Sequence, residues 1–479
     1  MPEIGIKSYA ACVPRLRLDR ASISAAHSWS LPSLRGLGKG ERSFCNWDED
    51  SITMAVEATR ACVPPTSRDA VGSLVFASTT PPFADLQNAS VIVNASGLSA
   101  AAATLDVGGS LRAGVAALIR VLRSQEDCET VVVAADDRRA KPGSVQEMQY
   151  GCGAVALQLG SGDTIARFAG SASSASSFAD HFRAEGEKYD YYWEERWIRD
   201  EGYLKIVPEA VERLFAERHI RADSIDHFCM PATISGAAAA VAKRLQIRPE
   251  AVVDNLAAKC GDTGVAHALL MLAAALERAS PGQRILIVGF GAGCDALLLE
   301  TTAAIAGYHS ASSVSAALAR GVTDKNYTKL LSFTGELELD WGMRSETDAK
   351  TALTQLYRSQ DQVISFIGGR CGDCDAIQFP QLVACVNCGS TRPLTPHPLA
   401  DALAKVATFT ADALMFYPAP PLYVGLVQFD NGARVLMEMV DVDPARFDVG
   451  SALRMVFRIK EKDGRRHFNR YFWKAAPIY

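Results

Sequence analysis

The sequence predicts a layered α/β protein that ends in a metal-binding ribbon and a small β-barrel. Three observations predict this fold class. Strand-like and helix-like segments alternate from residue 4 to about residue 300, which is typical of a buried sheet covered by helices. A strand, a glycine-rich turn and a buried helix follow one another twice in this stretch, so the α/β/α core is predicted to be duplicated. After this core come two Cys-x-x-Cys pairs, which predict the ribbon, and then β-rich segments, which predict the barrel.

The composition is that of an ordinary soluble protein. The 479 residues are 48% hydrophobic and 22% charged, with a net charge of −5, and suffice for two to four domains. A basic surplus and a long apolar run are both missing from the sequence, so we expect neither nucleic-acid nor membrane binding. The twelve cysteines do not form a secreted disulfide framework. Without a signal-peptide pattern at the start, a cytoplasmic protein is expected.

The first half of the core is placed at residues 1–163. Its elements are predicted from apolar periodicity and from acidic residues before a helix. The predicted strands are Ile4–Tyr9, Leu74–Ala77, Ala103–Val107, Val131–Ala135 and Ala154–Leu159, and the predicted helices are Ser51–Cys62 and Leu86–Asn94.

The second half is placed at residues 164–308 and repeats this order. It begins with an irregular insertion, Ser171–Asp200, which is rich in aromatic residues and charges. Such an insertion lines a site or a subunit contact, or is an ordered surface excursion. The elements predicted after it are a helix from Leu204 to Arg218, the strand Asp226–Met230, the helices Ala237–Leu245 and Val265–Leu276, and the strands Arg284–Gly289 and Ala296–Glu300.

The remaining chain is predicted to form three parts. Residues 309–365 are a linker, Ser310–Gly321, and a partly extended, then helical segment, 327–356. Residues 366–395 are a zinc ribbon, and residues 396–479 are a barrel of OB type. The barrel strands are Lys405–Ala411, Leu422–Phe429, Ala433–Val440, Ala452–Ile459 and Phe468–Trp473, with an Asn431-Gly432 hairpin turn.

The two Cys-x-x-Cys pairs predict a structural zinc site. They lie ten residues apart, and each pair directs two thiolates at one tetrahedral ion. Four protein ligands leave no open position for a substrate, and redox chemistry or an iron site is the alternative. The ligands are Cys371, Cys374, Cys385 and Cys388.

The turn Gly108–Ser110 is the first candidate for chemistry. It joins a buried strand to an amphipathic helix, whose N-terminal amides and dipole favour an anion or a nucleophile. The residue presented there is Ser110 or Leu111, and a serine is also a favoured helix cap.

Several stretches resemble the thiolase superfamily, in its branch of archaeal and bacterial 3-hydroxy-3-methylglutaryl-CoA synthases. The last 150 residues or so resemble the zinc-ribbon and OB-fold proteins that accompany thiolases as separate subunits. The resemblance implies a coenzyme A thioester as substrate and a homodimer, with a separate thiolase as a further partner. The stretches that carry it are GIKSYAACVPRLRL, DEDSITMAVEA, LDVGGSLRAGVAAL, EMQYGCGAVALQLG, RAEGEKYD, FCMP, GDTG and PGQRILIVGFGAG.

The resemblance also shows a coordinated departure from the synthases. Their cysteine nucleophile corresponds to Leu111, their histidine to Cys229, and their glutamate lies near Thr79. The asparagine of their Gly-Asn-Thr loop corresponds to Asp262. Synthase activity is therefore not expected, since a serine has too high a pKa to replace a thiolate without an adjacent base.

The remaining polar residues supply the candidate site. Ser110 is a weak nucleophile, a hydrogen-bond donor to the thioester oxygen or a helix cap. Cys229 is a displaced thiol or a core filler, and Asp262 and His267 form an acid–base pair or are packed core groups. The predicted catalytic residues are Ser110, Asp262, His267, Cys229 and Tyr150. The predicted substrate- and CoA-binding residues are Gly109, Leu111, Arg112, Tyr203, Gly291 and Gly293.

These residues favour an enzyme that makes or breaks a carbon–carbon bond in an acyl-CoA. Retro-aldol cleavage of a β-hydroxyacyl-CoA, or thiolytic cleavage of a β-ketoacyl-CoA, requires a base and oxyanion donors but no acyl-enzyme. The alternative is a catalytically inactive scaffold that binds acyl-CoA and a partner thiolase.

Overall fold

The computed structural model describes residues 4–124, 128–340 and 351–479. The chain divides into two compact units. The first consists of Met1–Asn46, Asp50–Val93 and Leu98–Glu336, and the second of Trp47–Glu49, Asn94–Gly97 and Leu337–Tyr479.

The strands found up to residue 336 are, in chain order, Gly5–Cys12 (β1), Leu16–Asp19 (β2), Glu41–Ser43 (β3), Val71–Ala77 (β4), Ala103–Val107 (β5), Glu129–Asp137 (β6), Cys152–Gly160 (β7), Ala166–Ala175 (β8), His181–Phe182 (β9), Tyr191–Tyr192 (β10), His227–Cys229 (β11), Arg284–Phe290 (β12), Gly293–Thr301 (β13) and Val322–Asp324 (β14).

The α-helices of the same stretch are Arg20–Ala26 (α1), Ser51–Cys62 (α2), Asn88–Ser96 (α3), Ala113–Arg123 (α4), Val145–Gln149 (α5), Glu195–Trp197 (α6), Val207–Arg218 (α7), Ala237–Arg244 (α8), Ala257–Cys260 (α9), His267–Leu276 (α10), Val314–Ala319 (α11) and Tyr327–Phe333 (α12). A π-helix, Ile198–Ile206, joins α6 to α7.

The main sheet confirms the predicted duplication. Its strand order is β5-β4-β6-β7-β1 for the first half, continued by β8-β13-β12-β11 for the second. In the first half, β5, β4 and β6 pair in parallel, and β7 pairs antiparallel with both β6 and β1. In the second half, β11 and β12 pair in parallel, and β13 pairs antiparallel with both β12 and β8. The halves meet where Gly5 and Ile6 of β1 pair with β8. Beyond β11, a parallel bridge from Phe228 to Val252 stands where β5 stands in the first half.

Two buried helices, α4 and α10, pack in one hydrophobic core. Helix α4 buries Val115, Leu118 and Leu122 and ends on arginines, which suit the negative end of the helix dipole. Helix α10 carries only alanine, leucine and methionine after His267, and all its residues are buried. A helix that is apolar on every side must be covered on every side, as α10 is.

Two segments differ from the sequence-based expectation. The strand β8 occupies the beginning of the segment expected to be irregular, because its alanines and serines pair along β13. The expected linker Ser310–Gly321 contains helix α11, which buries Val314 and Ala317 in the core. It is therefore part of the first unit.

The second unit contains the ribbon and the barrel. The ribbon strands are Ile367–Arg370 (β15), Ile377–Gln378 (β16) and Thr395–Pro398 (β17); the barrel strands are Ala404–Asp412 (β18), Leu422–Phe429 (β19), Arg434–Met439 (β20), Ala452–Asp463 (β21) and Phe468–Pro477 (β22). The barrel is closed in the order β18-β19-β20-β22-β21, which confirms the predicted small barrel. The helices of this unit are Leu353–Arg358 (α13) and Gln360–Val363 (α14).

Part of the expected extended and helical segment, residues 341–350, lies outside the described residues. Among those that are described, no helix is both long and apolar enough to cross a membrane.

Candidate active site

Two neighbouring spaces in the first unit contain most of the candidate residues. The inner cavity, of about 30 Å³, is lined by Leu111, Tyr203, Asp262 and Phe290 among others. It has room for about one water molecule. The outer cleft, of about 530 Å³, is lined by the 108–110 turn, by residues 177–183 and by Gly291. Arg138 and Asp180 line both spaces.

The turn between β5 and α4 divides its residues between the two spaces. Leu111 lines the inner cavity, and Ser110 and Gly109 line the outer cleft. The Ser110 hydroxyl donates to the carbonyl oxygen of Gly291 at 2.7 Å. A β-carbon on Gly291 would lie 2.7 Å from Ser110 Oγ, so this approach requires glycine. The serine proton is thus bound to a backbone carbonyl, and α4 begins later, at Ala113.

The predicted CoA-binding Arg112 lies beside this turn. Its guanidinium pairs with Asp295 at 3.2 Å and donates to the carbonyl of Ala292 at 3.4 Å. A β-carbon on Gly293 would clash with the carbonyl oxygen of Ser174, so that glycine permits the pairing of β13 with β8. Binding of CoA by Arg112 and Gly293 stays a prediction.

Cys229 and His267 lie in the core and not on the wall of either space. Cys229 is fully buried on β11, and burial raises the pKa of its thiol far above the ordinary value. Both ring nitrogens of His267 have protein partners: Nδ1 accepts from the Thr263 amide at 3.0 Å, and Nε2 donates to the Asn255 carbonyl at 2.7 Å. These contacts tie the loop before α10 to its helix and leave the ring without the proposed Asp262 partner.

Asp262 lines the inner cavity from the loop before α10. Its Oδ1 accepts from the Gly264 amide at 2.8 Å, and its backbone bridges to Tyr150. The buried Asp136 also holds this loop in place, because its Oδ2 accepts a hydrogen bond from the Val265 amide at 2.8 Å. Since Gly264 has a φ of +62° and a β-carbon there would meet Asp136, this loop also requires glycine.

Tyr150 belongs to a buried ionic network. Arg138 Nη2 donates to Tyr150 Oη at 2.6 Å and to Asp190 Oδ2 at 2.7 Å, and the tyrosine hydroxyl donates to the same Oδ2 at 2.8 Å. Arg183 pairs with Asp190 at 3.3 Å and donates to the Thr79 carbonyl. Although burial acts to raise it, the Arg138 charge holds the pKa of Asp190 below the ordinary value. Burial raises the pKa of Tyr150.

Two further polar pairs in this site were not found by the sequence analysis. His181 Nδ1 bonds to Asp180 Oδ2 at 2.8 Å, with only 14% and 9% of these side chains exposed. The Tyr192 hydroxyl bonds to Thr233 Oγ1 at 2.6 Å. Burial raises the pKa of Tyr192 to about 12, so it is a neutral donor near neutral pH. The Asp-His dipeptide inside an aromatic insertion was the available sequence signal.

The β9–β10 hairpin brings these pairs together. Tyr192 pairs with His181 across the two strands, and their rings stack with centroids 6.0 Å apart. Tyr203, predicted to bind substrate, lies on the inner cavity with 6% exposure, and burial raises its pKa. The structure thus brings Leu111, Tyr203 and Asp262 to one cavity.

The four ribbon cysteines converge as a metal-binding set. Their sulfur atoms all lie within 4.8 Å of one another, with Cys371 and Cys388 3.7 Å apart and Cys374 and Cys385 3.6 Å apart. A tetrahedral zinc with Zn–S bonds of about 2.3 Å separates its sulfurs by about 3.8 Å. The donor set therefore fits the ion.

Family models match three parts of the chain. The C-terminal model of 3-oxoacyl-[acyl-carrier-protein] synthase III matches residues 215–301. The rubredoxin-like zinc ribbon domain of ChsH2 matches residues 362–393, and its C-terminal OB-fold domain matches residues 399–458. These matches confirm the predicted ribbon and barrel.

Curated relatives of the first unit are hydroxymethylglutaryl-CoA synthases. The enzyme of Aeropyrum pernix is 31% identical over 310 residues, covering 63% of this chain and 86% of the relative. That of Methanopyrus kandleri is 29% identical over 308 residues, covering 62% and 88%.

Solved structures share the fold. An HMG-CoA synthase complexed with CoA aligns with a TM-score of 0.61 and 14% identity, covering 73% of this chain and 95% of the other. The HMG synthase of the curacin biosynthetic pathway, in complex with an acetyl donor carrier protein, aligns with a TM-score of 0.60 and 18% identity, covering 70% and 89%. The thiolase-like core predicted from the sequence is therefore confirmed.

Proposed function

The chain belongs to the hydroxymethylglutaryl-CoA synthase family, and from this premise we propose that it makes or breaks a carbon–carbon bond in an acyl-CoA without an acyl-enzyme. Retro-aldol cleavage of a β-hydroxyacyl-CoA is the reaction that the site favours, and thiolytic cleavage of a β-ketoacyl-CoA is the second form. The carrying observation is the His181–Asp180 pair on the wall of the outer cleft, next to a cavity that has Leu111 at the turn.

His181 serves as the base in this proposal. Asp180 accepts a hydrogen bond from His181 Nδ1 and so orients the ring, which leaves Nε2 to take the proton of a β-hydroxyl group. The electrons of that O–H bond then form the carbonyl of one product. Those of the broken carbon–carbon bond pass into the thioester as an enolate, which a proton converts to the released acyl-CoA.

The Tyr192–Thr233 pair supplies a donor for the enolate oxygen. Two hydroxyl groups that share one hydrogen bond retain one hydroxyl proton between them, and both side chains line the inner cavity. A donor held in place before the reaction stabilises developing negative charge without reorganisation. Asp262 completes the polar wall, whereas Tyr150 lies behind it, fully buried and bonded to Arg138 and Asp190. We assign Ser110, Cys229 and His267 to support of the fold, because each has the buried or hydrogen-bonded position described above.

The ribbon is proposed to hold a structural zinc. Cys371, Cys374, Cys385 and Cys388 would supply four thiolates and close the coordination sphere. The Asn387 amide donates to Cys385 Sγ at 3.4 Å, and its side chain donates to Cys374 Sγ at 3.5 Å. Such donors disperse charge on metal-bound thiolates.

A panel of thioesters tests the proposal. The purified chain is incubated with β-hydroxyacyl- and β-ketoacyl-CoAs, alone and with a co-encoded thiolase, and the release of shorter acyl-CoAs is followed by chromatography. Release from β-hydroxyacyl substrates by the chain alone is expected. If neither arrangement releases a product while acyl-CoA still binds, the enzymatic proposal is overturned in favour of the scaffold.

A further inference from the structure

An aromatic wall leads from the inner cavity to the protein surface. We propose that this wall binds the acyl group of the thioester and that the group is a long apolar chain. The inference rests on the proposed function only in taking the ligand to be an acyl-CoA.

The wall is continuous from ring to ring. Tyr203 and Phe290, which line the inner cavity, have centroids 4.8 Å apart. Phe290 contacts Phe178 at 6.2 Å, and Phe178 stacks on Trp197 at 6.1 Å with an interplanar angle of 13°. Because Phe178 also lines the outer cleft, the row joins both spaces.

Exposure increases along this row. Tyr203 and Phe290 are 6% and 7% exposed, whereas Trp197 is 48% exposed. An apolar ligand that lies in the outer cleft beside Phe178 and extends to Trp197 would cover ring surface that now faces solvent.

The β9–β10 hairpin provides a second aromatic group at the same cleft. Phe182 lines the cleft and contacts Tyr191 at 5.2 Å, and Tyr191 contacts Trp193 at 6.2 Å. All three rings are at least half exposed.

The size and charge of the outer cleft agree with an apolar acyl group. Its volume of about 530 Å³ lies within the roughly 300–1,000 Å³ typical of sites for drug-sized ligands. The charged side chains on its wall are paired with each other, namely Arg138 and Arg183 with Asp190 and His181 with Asp180. A charged acyl group would have to break these pairs, whereas an apolar one needs only the rings.

Binding of saturated acyl-CoAs tests the inference without turnover. Titration calorimetry with a series from acetyl-CoA to dodecanoyl-CoA is carried out on the full chain, on Trp197→Ala and Phe178→Ala, and on Trp29→Ala. The last is the matched control, because Trp29 is 86% exposed and remote in sequence from the wall. We expect the affinity of the wild type and the control to rise up to about fourfold per buried methylene, and at least tenfold from four to eight carbons. Both wall variants should bind dodecanoyl-CoA at least tenfold more weakly, with acetyl-CoA unchanged.

The outcomes separate this inference from the proposed function. The inference is overturned if the affinity of the wild type for acyl-CoAs does not depend on chain length. It is also overturned if both wall variants show the same dependence on chain length as the wild type. Either result holds even if short thioesters are cleaved. Conversely, length-dependent binding without cleavage of any thioester refutes the proposed function and leaves the wall in place. If the wall variants instead change the sedimentation coefficient and not acyl-CoA binding, the aromatic surface is a contact between copies of the chain, and the inference is wrong.

Discussion

At the scale of single residues, the polar groups of the site are divided between a turn and a hairpin. The turn before α4 has Leu111 where a nucleophile is expected, and the nearest hydroxyl, on Ser110, donates to the Gly291 carbonyl. The groups able to move a proton lie instead on the hairpin that follows β8. Asp180, His181 and Tyr192 are close only because two short strands pair there.

This pairing explains what the sequence could and could not predict about the site. Tyr150, Asp262 and Tyr203 were identified because they lie beside glycine turns or buried helices, where periodicity gives a clear signal. The His181–Tyr192 stack depends on a two-residue strand pair inside an insertion, and no periodic pattern marks so short a hairpin. The hydrogen bonds that occupy His267 likewise come from loop geometry.

Replacing His181 tests its role as the base. His181→Gln should lower kcat for cleavage by about 10²- to 10⁴-fold, since general base catalysis contributes that much. Binding of a saturated acyl-CoA should not change. His309→Gln, at an exposed position of the same unit, is the control and should retain full activity. Steady-state rates and calorimetry measure both quantities, and unchanged kcat for His181→Gln would exclude the residue as the base.

Replacing Asp190 tests the buried ion pair through its pH dependence. Asp190→Asn leaves the Arg138 charge buried, so the free energy of unfolding at pH 7 should fall by about 3 kcal/mol. The folded-state pKa of Asp190 lies below the ordinary 3.8, so its stabilisation is fully present above that value and is lost as the pH falls through the folded-state pKa.

The difference between wild type and Asp190→Asn should therefore be constant from pH 7 to 5 and shrink below about pH 4. Asp223→Asn, which breaks an exposed ion pair with Arg221, is the control and should change stability little. Urea titrations at each pH measure this. A difference that grows on acidification would contradict the network.

At the scale of elements, capping residues and apolar periodicity correctly predicted the bounds of those helices and strands that depend on local sequence. Helix α2 has the predicted bounds because Asp50 and Thr53 form a reciprocal capping box at its start. Strand β5 also has its predicted bounds, but the expectation that it is buried was wrong, because β5 is an edge strand of the main sheet and none of its residues is buried. Strand β8 was not predicted, since alanine and serine have weak strand preferences and only its pairing with β13 defines it.

The ribbon is the element with the most direct metal test. Cys385→Ser removes one of four ligands, so we expect the bound zinc to fall from one equivalent to well below one and thermal stability to drop, because metal binding is coupled to folding. Cys128→Ser, outside the ribbon, should keep the metal. Plasma mass spectrometry of the purified proteins measures zinc and iron together, and iron in place of zinc would refute the assignment.

At the scale of the whole molecule, alternation of strands and helices was enough to predict the duplicated core. The Cys-x-x-Cys spacing and the regular β segments predicted the ribbon and barrel. Which side chains of the two halves meet was not predictable, because the strand order places β1 beside β8 and brings distant segments together. Folded packing of Ser310–Gly321 was missed for the same reason, as its partners lie about 300 residues earlier.

We predict that the chain forms a homodimer, by analogy with other proteins of this fold. Sedimentation equilibrium of the purified chain at micromolar concentration should give twice the mass of one chain. A monomer mass across the concentration range, with cleavage activity intact, would show that the analogy fails.

The central claim is carbon–carbon bond cleavage without a covalent acyl-enzyme, and intact-mass spectrometry during turnover tests it most directly. The chain is mixed with a β-hydroxyacyl-CoA that it cleaves, quenched in acid during the steady state, and weighed while the released acyl-CoA is quantified. The account predicts product release from protein of unmodified mass. Protein that gains the mass of the acyl group at a rate matching turnover would contradict it.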